Sequence, residues 1–130
     1  YNAQPTVIFN GLFEGVGLQP LKGYYAIYSW GKLLKLGTEV ASASDAKDVY
    51  VMAAQSEKGK RAIFVARYSD DDNVSTPKPV AVRVANAKLP AEIYAHATDE
   101  TRMHTEMPVR AVDGELRLFL APRSFMLIEF

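Results

Sequence analysis

The spacing of apolar residues along this chain changes once, at Gly37. Beyond that point they recur at every second position, the period of strands whose two faces meet different surroundings. TEVAS, residues 38–42, is a short candidate edge strand. DVYVMAAQ and RAIFVARY flank SEKGK, in which Gly59 marks a hairpin turn. SDDDNVSTPKP is rich in turn formers and closed by two prolines, so it reads as a loop. VAVRVAN alternates Val80, Val82 and Val84 with Ala81, Arg83 and Ala85, and EIYAHAT follows a KLP turn. ATDETRMHTEMP lacks a period and reads as another connection. DGELRLFLAP and SFMLIEF read as a last hairpin about Ala121–Pro122–Arg123. Leu116, Leu118 and Leu120 share one face there, with Arg117 and Phe119 on the other. In the final strand Glu129 is expected to meet water, which turns Met126, Ile128 and Phe130 inward.

Short antiparallel strands separated by turns predict a mainly β fold: an antiparallel β-sandwich of about six to eight strands, with one N-terminal α-helix packed against it. Several strands are apolar on both faces, with Tyr50 and Met52 opposite Val49 and Val51, and Phe64 opposite Ile63 and Val65. Those second faces need a cover. The helix is predicted over about residues 20–36. Pro20 suits a first helical turn, where its missing N–H costs nothing, and Gly37 suits the left-handed position past a helix end. At ~100° per residue, Leu21, Tyr24 and Tyr28 fall within about 60° of one another, with Tyr25 beyond them. Ile27, Trp30 and Leu34 form a second stripe roughly opposite Lys32 and Ser29, and Leu33 and Leu36 fill much of the rest. Only Lys22, Ser29, Lys32 and Lys35 are clearly polar. A helix apolar nearly all round is buried on more than one side. One stripe is therefore expected on the sheet and the other against residues 1–17, a neighbouring chain or nothing in this chain.

Charge narrows the partners. Lys+Arg and Asp+Glu are equal at 15 each, which removes the electrostatic basis for nucleic acid or an anionic membrane. The chain has no cysteine, which excludes a disulfide framework, a thiolate zinc site and a cysteine nucleophile. No apolar run approaches the ~20 residues that span a bilayer. The start, YNAQPTVIF, carries no initiator Met or signal-peptide pattern. It reads as an internal point of a longer polypeptide, with a mature exported protein as the alternative.

Motifs for chemistry are sparse. His96 and His104 have no carboxylate at a recurrent metal-ligand spacing and read as packed or solvated, so no metal is assigned. Asp70 to Asn73, DDDN, lacks the central Gly and distal Glu of an EF-hand and reads as a polar turn. Gly11, Gly15 and Gly17 lack the Lys-Ser/Thr of a phosphate loop, and no cofactor is implied. No serine sits in a Gly-x-Ser-x-Gly elbow. Glu14 is the one carboxylate in a suggestive apolar, glycine-rich setting, but spacing alone does not make it catalytic. Tyr24, Tyr28 and Trp30 could stack on sugar rings; Ile27, Trp30 and Leu34 could pack on a partner.

GLFEGVGLQPLKGYYAIYSWGKLLKLGTEV resembles the end of the (β/α)8 barrel in clan A glycoside hydrolases of the β-xylosidase and α-L-arabinofuranosidase kind. The matching residues are Pro20, Lys22, Tyr24, Tyr25, Ala26, Leu33, Leu36 and Gly37, with one extra residue between Pro20 and Lys22. LRLFLAPRSFMLIEF is similar to the closing hairpin of the sandwich that follows the barrel in those enzymes. The resemblance implies that residues 1–37 are the end of a barrel and 38–130 a C-terminal β-sandwich. It places the catalytic glutamates upstream of residue 1, so no catalytic residue is assigned and the chain alone is expected to be inactive. It also implies an upstream catalytic barrel as partner, an oligosaccharide near the cleft, and a secreted or periplasmic setting. The orphaned helix stripe allows a dimer. Two other readings stand beside it. One is a carbohydrate-binding module using exposed aromatics, with Tyr50, Tyr68 and Tyr94 as candidates; the other is an immunoglobulin- or fibronectin-like interaction module.

Overall fold

The computed structural model describes residues 22–71, 73–85 and 88–130. Helix α1 runs from Lys22 to Leu36 and Gly37, at φ +95°, closes it. Eight strands follow: β1 Thr38–Val40, β2 Val49–Gln55, β3 Arg61–Arg67, β4 Lys78–Arg83, β5 Ile93–Thr98, β6 Thr105–Val112, β7 Glu115–Leu120 and β8 Ser124–Glu129. They form one antiparallel sheet in the order β1-β2-β3-β8-β5-β6-β7-β4. β6 pairs with β5 over Thr105–Val109 and with β7 over Arg110–Val112. The sheet folds over at that change of partner. β1, β2, β3, β8, β5 and the first half of β6 make one layer; the rest of β6, β7 and β4 make the other.

The core lies between the layers. Leu116, Leu118 and Leu120 of β7 meet Met126 and Ile128 of β8, Ile63 and Val65 of β3, and Ile93, Ala95 and Ala97 of β5. The alternation predicted for the last two strands holds: Met126 and Ile128 are buried, Phe130 packs on the core, and Glu129 and Phe119 are exposed.

Two connections differ from the sequence expectation. β7 and β8 are not a hairpin. β8 pairs with β3 and β5, and β7 with β4 and β6. Their apolar stripes face each other across the core, so Ala121–Arg123 is a corner between layers. The buried guanidinium of Arg67 fastens that corner by donating to the carbonyls of Leu120 at 2.7 Å and Thr76 at 2.8 Å. Ser124 Oγ adds a 2.8 Å bond to the Ala121 carbonyl. The actual last hairpin is β6–β7. It turns at Asp113 and Gly114, with φ of +52° and +77°, the two left-handed positions of a tight turn. The second difference is Thr105–Pro108, expected as irregular connection and found as the start of β6. Pro108 obscures the strand, yet is tolerated because this half of β6 pairs with β5 alone and its other edge needs no N–H donor.

α1 covers part of the outer face of the first layer, over Ala54, Ala62, Phe64 and Leu127, while Tyr50 and Met52 of β2, whose face also called for a cover, stay exposed. Leu33 packs with Ala54, Ala62 and Leu127, joined by Leu36 and Phe64. The face that docks is not either of the two predicted stripes but the strip between them, through Ser29 and Leu33. Ser29, counted as a surface residue from its polarity, is fully buried. Its Oγ donates to the Tyr25 carbonyl one turn back at 2.8 Å, so the hydroxyl needs no water. Small residues at 29, 54 and 62 let helix and sheet approach closely. The expected glycine-rich stretch with Gly11, Glu14, Gly15 and Gly17, together with Pro20, lies outside the described residues, as does most of the segment 1–37 assigned to a barrel.

Candidate functional site

Seating α1 on Ser29 and Leu33 leaves it two flanks of opposite character. Toward β5, Tyr25 stacks on His104, with ring centres 4.9 Å apart and planes 8° from parallel. His104 stacks in turn on His96 of β5 at 4.3 Å. Tyr28 meets the His104 ring edge-on at 5.2 Å, and Lys32 Nζ stands 5.5 Å over the Tyr28 ring. Tyr24 lies beside Tyr28 at 6.3 Å. At the start of the helix Lys22 Nζ donates to the Arg123 carbonyl at 3.4 Å.

The loop between β5 and β6 holds His104 in place. Asp99 accepts from the N–H groups of Thr101 at 2.8 Å and Arg102 at 2.7 Å, and from Arg102 Nε at 2.9 Å. Burial pushes the Asp99 carboxyl up, but the Arg102 guanidinium and these donors outweigh it and hold the group at about 2. His104 adopts φ +50°, and its N–H donates to Thr98 Oγ1 at 3.0 Å. Its Nδ1 is buried without a partner. Burial lowers the His104 pKa, and the His96 and Lys32 charges lower it further against the opposing pull of Glu129. The two imidazoles are thus a packing pair. His96 Nε2 is 3.9 Å from Glu106, and among the described residues no three His, Asp or Glu side chains come together as a metal site. The spacing of the two histidines gave no sign of this contact, because the loop that joins them carries no period.

The opposite flank is open. Ile27, Trp30 and Leu34 are 57%, 47% and 64% exposed. Trp30 is about 160° around the axis from Tyr28. Tyr24, Tyr28 and Trp30 therefore do not make one sugar platform; the tyrosines belong to the closed flank, and Trp30 stands with Ile27 and Leu34. The open flank lies on the β2 side, where Tyr50 and Met52 are exposed on the outer face of the sheet. Tyr50 pairs with Ala66, and Tyr68, two residues further along that face, is its diagonal neighbour. That proximity was readable: a hairpin turning within SEKGK sets residue 50 against 66. Tyr94 sits on β5, separated from Tyr50 by β3 and β8.

No protein-family model matches the chain, and no curated protein matches it. Solved structures do. A GH30 endoxylanase from Clostridium papyrosolvens C71 is 16% identical with a TM-score of 0.70, over 90% of this chain and 29% of that one. The family 30 subfamily 8 xylanase Xyn30A from Clostridium acetobutylicum is 18% identical with a TM-score of 0.71, over 92% of this chain and 30% of that one. CelM2, a bifunctional glucanase-xylanase from a metagenome library, gives a TM-score of 0.59 at 18% identity, over 70% of this chain and 17% of that one. The chain spans just under a third of the length of the two xylanases. It has the fold of a β-rich region found in glycoside hydrolases, the class its helix and closing segment resemble.

Proposed function

We propose that this chain is the non-catalytic C-terminal β-sandwich region of a glycoside hydrolase, which stabilises the catalytic barrel of the same polypeptide and borders its substrate cleft. Residues 1–37 would belong to the end of the barrel and 38–130 to the sandwich. The observation that carries this reading is the open flank of α1. Three large apolar side chains, Ile27, Trp30 and Leu34, stand in a row on a helix whose other flank packs on His104 through Tyr25 and Tyr28. Full burial of such a side chain is worth ~1.5–3 kcal/mol, and about half of that remains to be gained here, which is a reason for a partner to cover them.

The test compares Leu34→Arg and Ile27→Asp in two settings, the 130-residue chain and a polypeptide that also carries the catalytic barrel. In the chain alone both changes are expected to shift the unfolding midpoint little. In the longer polypeptide they should lower it by several degrees and shorten the half-life of hydrolytic activity. Equal shifts in both settings would remove the docking role. Hydrolysis of xylan by the 130-residue chain alone would overturn the assignment as non-catalytic.

The exposed pair Tyr50 and Tyr68 favours a second reading, a carbohydrate-binding surface. Titration with xylohexaose, followed by amide chemical shifts of β2 and β3, separates the two. Saturable micromolar binding that disappears in Tyr50→Ala supports the binding module.

A further inference from the structure

The outer face of the smaller layer is built on β7, whose inward leucines turn Glu115, Arg117 and Phe119 outward. The register sets Pro79 of β4 beside Phe119, Ala81 beside Arg117 and Arg83 beside Glu115. On the other side of β7, Arg110 of β6 lies directly opposite Arg117. Like charges opposed in this way destabilise a strand pair. Glu115 relieves only one of the two. Its Oε1 accepts from Arg117 Nη2 at 3.0 Å and its Oε2 from Arg83 Nη2 at 3.1 Å. Among the described residues the Arg110 guanidinium has neither a hydrogen bond nor an ion pair. It stands instead at the rim of a hollow of about 310 Å³, with Glu92, Tyr94 and Pro108 on the far side. The pairing of Ile93 with Val109, if continued, would set Glu92 against Arg110, but β6 changes partner there and the strands part. Arg83, Arg110 and Arg117 outnumber Glu115 and the Asp113 of the adjoining turn, so the face is net positive. Phe119 is 67% exposed in its midst, more than any other large apolar side chain described.

We propose that the outer face of β4, β7 and β6 binds an acidic polysaccharide, with a uronate carboxylate held by Arg110 and Arg117 and an adjoining sugar ring stacked on Phe119. The guanidinium fork matches a carboxylate with two parallel hydrogen bonds and sheds its water more readily than an ammonium does. An anion placed against Arg110 and Arg117 turns their mutual repulsion into attraction for the ligand. Arg117 and Phe119 are two positions apart on one strand, ~7 Å, so adjoining units of one sugar chain reach both. Pro79 and Ala81 rise little above the sheet, which leaves the surroundings of Phe119 flat. A flat face suits a sugar chain, whereas a helical peptide needs a groove and an extended one a strand edge. A second copy is a poor occupant, because a two-fold contact would set this positive face against itself. The choice of a sugar acid among anions rests on the proposed reading of the chain as part of a glycoside hydrolase.

The experiment is a titration of the 130-residue chain at low ionic strength, followed by amide chemical shifts, with hexagalacturonate, xylohexaose, hexaglutamate and an oligothymidylate. Hexagalacturonate is expected to shift the amides of Arg110, Arg117 and Phe119 saturably. It should bind at least about tenfold more tightly than xylohexaose, which lacks the carboxylates, and than hexaglutamate, which lacks the rings. Added salt should weaken it. Arg110→Gln should weaken it about tenfold and Phe119→Ala severalfold. Arg110→Gln also removes the like-charge opposition, so its unfolding midpoint should equal or exceed that of the parent. A lower midpoint would make Arg110 a structural residue and overturn the proposal. Equal affinity for xylohexaose overturns it too, as does tighter binding of hexaglutamate or the oligothymidylate, which would mark an acidic protein or a nucleic acid as the partner. The substitutions at Ile27 and Leu34 report docking of α1 separately. A docked helix with no uronate binding would remove this site and leave the accessory reading standing. Uronate binding with an undocked helix would do the reverse.

Discussion

β7 and β4 are neighbours in one layer and carry the same pattern, aliphatic side chains at alternate positions turned toward the core. On β7 the three leucines are essentially without solvent contact, at 0%, 3% and 0% exposure. On β4 the corresponding valines, 80 and 82, are half-buried. The register between them is in order, with Val80 opposite Leu118 and Val82 opposite Leu116. The difference is what lies across the core: β7 faces the middle of the large layer, and β4 faces, among the described residues, an open cleft walled by Val51 and Ala53 of β2. Alternation tells which way a side chain points. It does not tell whether anything is there to meet it. Helix α1 repeats the lesson within one turn, where Leu33 is 6% exposed and its neighbour Leu34 64%.

The sharpest way to break the comparison is to truncate both strands. Leu118→Ala should cost about 2–5 kcal/mol, because it removes a fully packed side chain and leaves a cavity that the surrounding layers do not close. Val80→Ala should cost about 1 kcal/mol in the isolated chain, since the valine is only partly withdrawn from water. Urea unfolding of the two variants measures both. Equal losses would mean that the cleft is closed in solution and that the two halves of the core do not differ.

Much of this organisation was legible in the sequence. The period-two segments located seven of the eight strands, and the apolar residues on both faces of β3 called for the cover that α1 supplies over Phe64, whereas Tyr50 and Met52 of β2 stay exposed. What escaped depends on long-range pairing. Ala121–Pro122–Arg123 is short enough for a hairpin or for a corner, and only the facing of two leucine-rich stripes decides between them. Asp113–Gly114 was the stronger turn signal and went unread because the preceding strand is masked by Pro108. In the candidate site the open stripe of Ile27, Trp30 and Leu34 followed from helical geometry. The seating of the helix on Ser29 did not, because a serine that bonds its own backbone counts as polar in sequence and as small in packing. The stack of His96 on His104 depends on the course of an irregular loop, about which periodicity says nothing.

The loop that seals the closed flank should fail in acid, and Asp99 sets the larger part of that failure. Its carboxyl sits at about 2 in the folded chain, against a usual value near 3.8. A group depressed on folding adds stability above its unfolded pKa and loses it as pH falls toward the folded one. The contribution is roughly 2 kcal/mol at neutral pH, present above about pH 4 and gone near pH 2. Asp99→Asn should lose most of that stability at pH 6 and show a flatter decline below pH 4 than the parent. Parallel pH profiles for the two proteins would assign the acid sensitivity elsewhere.

A smaller effect at milder pH separates the flanks of α1 from each other. His104 is depressed chiefly by burial and then by the His96 charge, so the folded chain prefers the neutral ring. For a base lowered on folding the unfolded chain takes up the proton first. Stability is therefore intact above the unfolded value of about 6.5 and declines as pH falls through it toward the lower folded value. The groups around the ring do not reverse that sign: Lys32 adds to the depression, and Glu129 opposes it without cancelling it. Protonation places a cation in the stack between Tyr25 and His96, so the N-terminal half of α1 should loosen before the sandwich unfolds. His104→Asn keeps a residue tolerant of the left-handed backbone and removes the titrating ring. Between pH 7 and 5 the parent should lose stability that the variant does not, read as a shift of the denaturant midpoint and as faster exchange of the Tyr25 and Ser29 amides. The open flank presents no titrating side chain at Ile27, Trp30 or Leu34, so Leu34→Ala should alter stability by the same small amount at both pH values. A pH-dependent difference for Leu34→Ala would mean that the two flanks are coupled through the helix rather than held separately.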